Sequence, residues 1–189
     1  MFRLAIWASG KGSNAVQLWQ YFASHPSIQL PLLITSRSHA PVVALARHLD
    51  VEVWVYPDPS LDGAALARRF RDYGIGGHLL AGYLRPVPSE VVHAYHGRIL
   101  NIHPALLPRY GGQGMYGLHV HKAVLQGGER WSGISIHLVT EEYDKGPILF
   151  QAQLPIPNNT TAEQLALLIK PLEHACYGPV AEAYFCSLD

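Results

Sequence analysis

Short apolar runs alternate with polar, glycine-containing turns and with segments of helical spacing along the first hundred residues. Phe2 to Ala8 is an apolar run that passes directly into Ser9-Gly-Lys-Gly-Ser-Asn14, a strand followed by a loop. Ala15, Leu18, Trp19 and Phe22 then recur at helical spacing. Leu30 to Thr35 reads as a strand, Pro41 to Leu49 as a helix with proline near its first turn, and Val51 to Tyr56 as a third strand. After a connection over Pro57 to Ser60, Leu61 to Tyr73 forms a helix whose Arg68, Arg69 and Arg71 make a solvated face. Ile75 to Gly82 is the next strand, weakened in its first half by Gly76-Gly77-His78. Beyond the loop Tyr83 to Val87, Ser89 caps a helix through Tyr95 that Gly97 ends, and Ile99 to His103 is the fifth strand.

The pattern then changes. Arg109 to Gly117 is glycine-rich and reads as a mobile loop; Leu118 to Gln126 returns to helix, stopped by Gly127-Gly128. In Trp131 to Val139, Ile134, Ile136 and Leu138 alternate with Ser135, His137 and Val139, the pattern of a half-buried strand. Ile148 to Leu154 is its hairpin partner, and Asp144 in the turn between them has the character of an ordinary turn aspartate. Thr161 to Ser187 is helical, interrupted by Pro171 and Pro179, with Glu173 expected to face solvent. The fold class is α/β: a Rossmann-like, mostly parallel sheet flanked by helices, with a C-terminal β-hairpin and a long C-terminal helix. Residues 1–189 are expected to form one domain, because the part after Pro108 is too small for a core of its own and extends the same sheet.

Composition narrows the function. Of 189 residues, 49% are hydrophobic and 15% charged, ample for a buried core. Fourteen basic residues balance fourteen acidic ones, against a nucleic-acid partner that relies on a basic surface. The apolar N-terminal run is too short for a signal peptide and no stretch reaches transmembrane length, so a soluble, cytoplasmic protein without membrane contact is expected. Cys176 and Cys186 share the last helix, roughly 15 Å apart along its axis, too far to bridge.

Candidate chemistry gathers at strand ends. In Asn101-Ile-His-Pro104 the first and third residues project to one side of an extended chain, and Pro104 biases His103 towards extended angles. An amide beside a titratable base suits oxyanion stabilisation and proton transfer, although a satisfied loop-edge histidine fits the same residues. The 9–14 loop opens onto a helix N-terminus that attracts anions, with Ser13 and Asn14 able to add hydrogen bonds. It also satisfies a loose GxGxxA dinucleotide pattern, lacks the Gly-Lys-Ser/Thr of a P-loop, and is compatible with a purely structural turn. Because the second strand ends in Ser36-Arg37 rather than an acidic residue, only a 2′-phosphate dinucleotide fits that alternative. Ser9, Arg85 and Asn101 end three strands and are expected to line one crevice. His119 and His121, two apart on a helix, share no face and are not a metal pair.

Taken in order, Ser9-Gly-Lys-Gly-Ser-Asn14, Leu80-Ala-Gly-Tyr-Leu-Arg85, Asn101-Ile-His-Pro-Ala-Leu-Leu-Pro-Arg-Tyr110, Leu118-His-Val-His121, Ile136-His137, Asp144-Lys-Gly-Pro147 and Glu173-His174 resemble the phosphoribosylglycinamide formyltransferases over nearly the whole chain. The resemblance implies transfer of a formyl group from 10-formyltetrahydrofolate, as cosubstrate, to the amine of glycinamide ribonucleotide, without a metal. It assigns catalysis to Asn101, His103 and Asp144, with Asp144 holding His103 and raising its pKa. Gly12, Ser13, Asn14, Pro104 and Glu173 would bind the ribonucleotide; Arg85, Pro86, Val87, Thr140 and Asp144 would bind the folate. It makes residues 1–100 the phosphate-binding half and 101–189 the catalytic and folate-binding half, in a monomer or homodimer. Relative to the family, the 55–80 segment is short and the 111–117 loop long. Related formyltransferases acting on methionyl-tRNA or amino sugars, and formate-releasing hydrolases, share the Asn-x-His…Asp set; Gly12-Ser-Asn14 favours the phosphoribosyl amine. An NADP-dependent oxidoreductase leaves Asn101, His103 and Asp144 unexplained, and a non-catalytic nucleotide-binding module would tolerate the loss of His103.

Overall fold

The computed structural model describes residues 1–58 and 61–188; Pro59 and Ser60, in the expected 57–60 connection, lie outside the described residues. Seven strands form one sheet in the order β3-β2-β1-β4-β5-β6-β7. They are β1 (Phe2–Trp7), β2 (Ile28–Thr35), β3 (Glu52–Val55), β4 (Gly77–Leu80), β5 (Ile99–His103), β6 (Trp131–Leu138) and β7 (Ile148–Pro155). The first five pair in parallel, and β5-β6 and β6-β7 pair antiparallel. The helices are α1 (Ser13–Phe22), α2 (Pro41–His48), α3 (Gly63–Asp72), α4 (Ser89–Ala94), α5 (Leu118–Gln126) and α6 (Ala162–Cys186).

Strand β1 shows how one sequence feeds two cores. Leu4 and Ile6 pack with Leu18, Val42, Val120, Leu165 and Ile169, under α1, α2, α5 and α6. Ala5 and Trp7, pointing the other way, pack with Leu66, Phe70, Val91 and Tyr95, under α3 and α4. Both faces are covered, which is why the parallel strands are almost continuously apolar.

Several expectations change. Strand β6 is buried along nearly its whole length rather than on one face: Ile134 and Ile136 pack into the core, and the turn after β5 covers Ser135 on the other side. Helix α6 runs unbroken through Pro171 and Pro179; both prolines are exposed, so the carbonyls they leave unpaired lie on the wetted side. Pro88 occupies the cap position of α4, and the Ser89 hydroxyl bonds Glu90 (3.3 Å) instead of capping. β4 starts only at Gly77, where a Cβ would strike the Phe185 ring of α6; glycine lets that helix lie close on the sheet. There α6 also ties down strand ends, since the Tyr177 hydroxyl lies 2.9 Å from the Leu80 carbonyl and 3.1 Å from that of Leu100.

Candidate active site

Outside the carboxyl ends of β1, β4 and β5 lies a cavity of about 1070 Å³. The order 3-2-1-4 reverses direction between β1 and β4, the place where open α/β sheets leave a crevice. Asn14, Arg85, Pro86, Val87, Asn101, His103, Pro104, Thr140, Asp144 and Glu173 all line it. Gly12 and Ser13 sit behind Asn14 and are not on its wall. Gly12 precedes α1 with a positive φ of 76°, and a Cβ there would strike Val42, so glycine sets both the turn and the approach of α2. Ser9 is likewise off the wall, its hydroxyl 2.7 Å from that of Ser36.

On the middle of the wall four side chains meet. His103 is buried, and its Nε2–H donates to the Tyr110 carbonyl at 2.8 Å. A neutral imidazole has one N–H, so Nδ1 carries the lone pair, 3.6 Å from Asp144 Oδ2. Asp144 also accepts from the Gly112 N–H (2.9 Å) and, through Oδ1, from Asn101 Nδ2 (3.5 Å). Asn101 Nδ2 lies 3.1 Å from His137 Nε2, whose other nitrogen, as Nδ1–H, donates to the Leu138 carbonyl (2.8 Å). His137 Nε2 is in turn 3.4 Å from Asp144 Oδ1.

Burial pushes the Asp144 carboxyl up, but a His137 hydrogen bond, the charge of His103 and the Gly112 N–H outweigh it and hold it below its usual range. His103 departs from expectation. Burial lowers its pKa and wins over the raising effects of Asp144 and the Tyr110 carbonyl, while His137 adds to the lowering. Asp144 therefore moderates the shift without reversing it, and near neutral pH the ring is an uncharged base.

At the α1 end of the cavity, the Asn14 side chain acts on Glu173 and favours its ionised form. Glu173 is partly buried rather than solvent-facing, because that face of α6 closes the cavity. Burial raises its pKa to about 7, against the lowering effects of Asn14 and Lys170. Arg85 to Val87 and the segment 139–144 also line the cavity.

Sequence reasoning missed four contributors: His137, the Tyr110 carbonyl, the Gly112 N–H and the cavity-lining His121. The alternation of β6 put His137 beside Ser135, but only the β5-β6 register, which sets Asn101 opposite His137, brings it to the site. His119 is exposed and His121 buried, so the two do not share a face.

Residues 2–180 match the model of the formyl transferase family. The chain is 43% identical over 189 residues to "Phosphoribosylglycinamide formyltransferase, chloroplastic" of Arabidopsis thaliana, covering 96% of this chain and 64% of that protein. The corresponding protein of Vigna unguiculata is 39% identical, with 96% and 60% covered. The chain thus spans just under two thirds of the length of these plant relatives. The crystal structure of phosphoribosylglycinamide formyltransferase from Bacillus halodurans superposes with a TM-score of 0.87 at 32% identity, covering 99% of this chain and 97% of that one.

Proposed function

The chain belongs to the formyl transferase family, and from that premise we propose that it transfers the formyl group of 10-formyltetrahydrofolate to the primary amine of glycinamide ribonucleotide, in purine biosynthesis. The observation that carries this is the meeting of Asn101, neutral His103 and ionised Asp144 in a cavity that Asn14, in the first turn of α1, also lines. Under this proposal the α1 N-terminus and Asn14 receive the phosphate, the Gly12-Ser13 turn setting the start of that helix, and Glu173 takes the ribose hydroxyls. Pro104 borders the acceptor, and Arg85 to Val87 face Thr140 and Asp144 across the folate. The proposal assigns phosphate binding to residues 1–100 and catalysis with folate binding to 101–189, a division that falls inside the Ile99–His103 strand.

The chemistry follows from the geometry. The amine attacks the formyl carbon, forming a C–N bond, and the carbonyl oxygen becomes an oxyanion. Asn101 Nδ2–H, held only loosely by Asp144 at 3.5 Å, turns to that oxygen. His103 takes the amine proton at Nδ1, the nitrogen not engaged by Tyr110, and the imidazolium then faces Asp144. Collapse breaks the bond to the folate nitrogen, which receives the proton. The substrates are small molecules and the expected compartment is the cytoplasm; among the described residues no helix is long and apolar enough to cross a membrane.

The test offers 10-formyltetrahydrofolate with glycinamide ribonucleotide or with water alone. Transfer to the ribonucleotide, lowered about a hundredfold or more in His103→Ala, is expected. Formate release with no transfer would overturn the acceptor, and an unaffected His103→Ala enzyme would overturn the base.

A further inference from the structure

Tyr110 is a non-glycine residue with a left-handed backbone, φ 59°, a conformation that persists only where the surroundings enforce it. Here they do so through its side chain. The Tyr110 hydroxyl donates to Glu129 Oε1 at 2.6 Å, and the same oxygen is ion-paired with Arg109. The ring end lies against Gly127 at the C-terminus of α5, where a Cβ would strike the hydroxyl. The tyrosine is thus pinned between two chain segments, and the strained backbone aims its carbonyl at His103 Nε2, 2.8 Å away.

We propose that Tyr110, clamped by Glu129, is a positioning residue that fixes the His103 tautomer and leaves Nδ1 as the only ring nitrogen free to accept a proton. Asp144, His137 and His121 are the other titratable groups around the ring. Asp144 faces Nδ1 and, being ionised, repels its lone pair in the neutral ring. Without a carbonyl at Nε2, the neutral ring would therefore gain by placing its proton on Nδ1, towards Asp144. That tautomer offers no lone pair at the reacting side, so the Tyr110 carbonyl opposes a preference that Asp144 creates. The catalytic consequence rests on the formyl-transfer reading above, whereas the tautomer itself does not.

Ring nitrogen-15 NMR of His103 at pH 8, in the full chain, tests this. The wild type is expected to show a protonated Nε2 and an unprotonated Nδ1. Tyr110→Phe and Glu129→Ala, which break one bond from its two ends, are expected to shift the proton population towards Nδ1. They should lower kcat about tenfold to a hundredfold with little change in either KM. Glu129→Gln, which keeps an acceptor for the hydroxyl, should stay close to wild type in both readouts. An unchanged tautomer in a folded Tyr110→Phe or Glu129→Ala protein overturns the proposal, as does an equal effect of Glu129→Ala and Glu129→Gln. Because the NMR readout needs no substrate, failure of formyl transfer would leave it decisive.

Discussion

Asp144 reaches the site from a left-handed backbone, φ 54°, which aspartate tolerates better than most residues. Its carboxylate pulls the His103 pKa up against burial, so Asp144→Asn should lower that pKa further. The rate of the wild type is expected to fall as acid protonates His103, below the ring's ordinary 6.5, and the acid limb should move to still lower pH in Asp144→Asn. At neutral pH, kcat should drop about a hundredfold while ribonucleotide affinity changes far less, since the proposed mechanism uses the carboxylate in the chemical step. A pH–rate profile with the acid limb unmoved, or an equal fall in binding, would refute this. Glu173 has the opposite linkage. Its folded pKa of about 7 lies above the ordinary 4.5, so its contribution to stability is fully present below pH 4.5 and is lost as pH rises through 7. Glu173→Gln should therefore be more stable than wild type at pH 8, by no more than about 3 kcal/mol, and the two should converge below pH 5. Thermal unfolding at the two pH values reads this directly.

The turn after β5 shows how an element holds these residues. The Ser135 hydroxyl of β6 donates to the Ala105 carbonyl (2.7 Å) and accepts from the Leu107 N–H (2.9 Å) and from Gln151 Nε2 (2.8 Å). Ser135→Ala leaves these buried partners unmet and is expected to cost about 1–3 kcal/mol, lowering Tm by about 2–4 °C per kcal/mol in calorimetry. The Ile99–His103 strand and the Leu118–Gln126 helix were legible in the sequence, because apolar spacing and the Gly127 stop are local signals. Asn101 and His103 were legible for the same reason, lying two apart on one strand. What was not local was not legible. The burial of β6 on both faces, the pairing of Asn101 with His137, and the inward turn of Glu173 all depend on which segments become neighbours. Helix α6 continues through its two prolines on similar grounds: a proline breaks a helix most reliably where its lost bond would be buried, and Pro171 and Pro179 face water.

On the scale of the whole molecule, one cavity joins two ends built from different elements. Asn14 of α1 and Glu173 of α6 make one end; Arg85 to Val87, after β4, and the 139–144 segment, after β6, make the other. The cluster of Asn101, His103 and Asp144 stands between them, so the two substrates would meet at it while binding to separate walls. Each ligand should then stabilise the fold by its own mass action, about 2.7 kcal/mol at a hundredfold excess over Kd, or about 5–10 °C in Tm. Asn14→Ala should abolish the shift produced by glycinamide ribonucleotide and keep that produced by the folate. Val87→Asp, which puts a charge at an apolar position of the wall that the proposal gives to the folate, should do the reverse. Thermal shift titrations of the two variants with each ligand separate the ends. If Asn14→Ala removed both shifts, the two walls would be a single binding unit, and the placement of the catalytic cluster at a junction between them would be wrong.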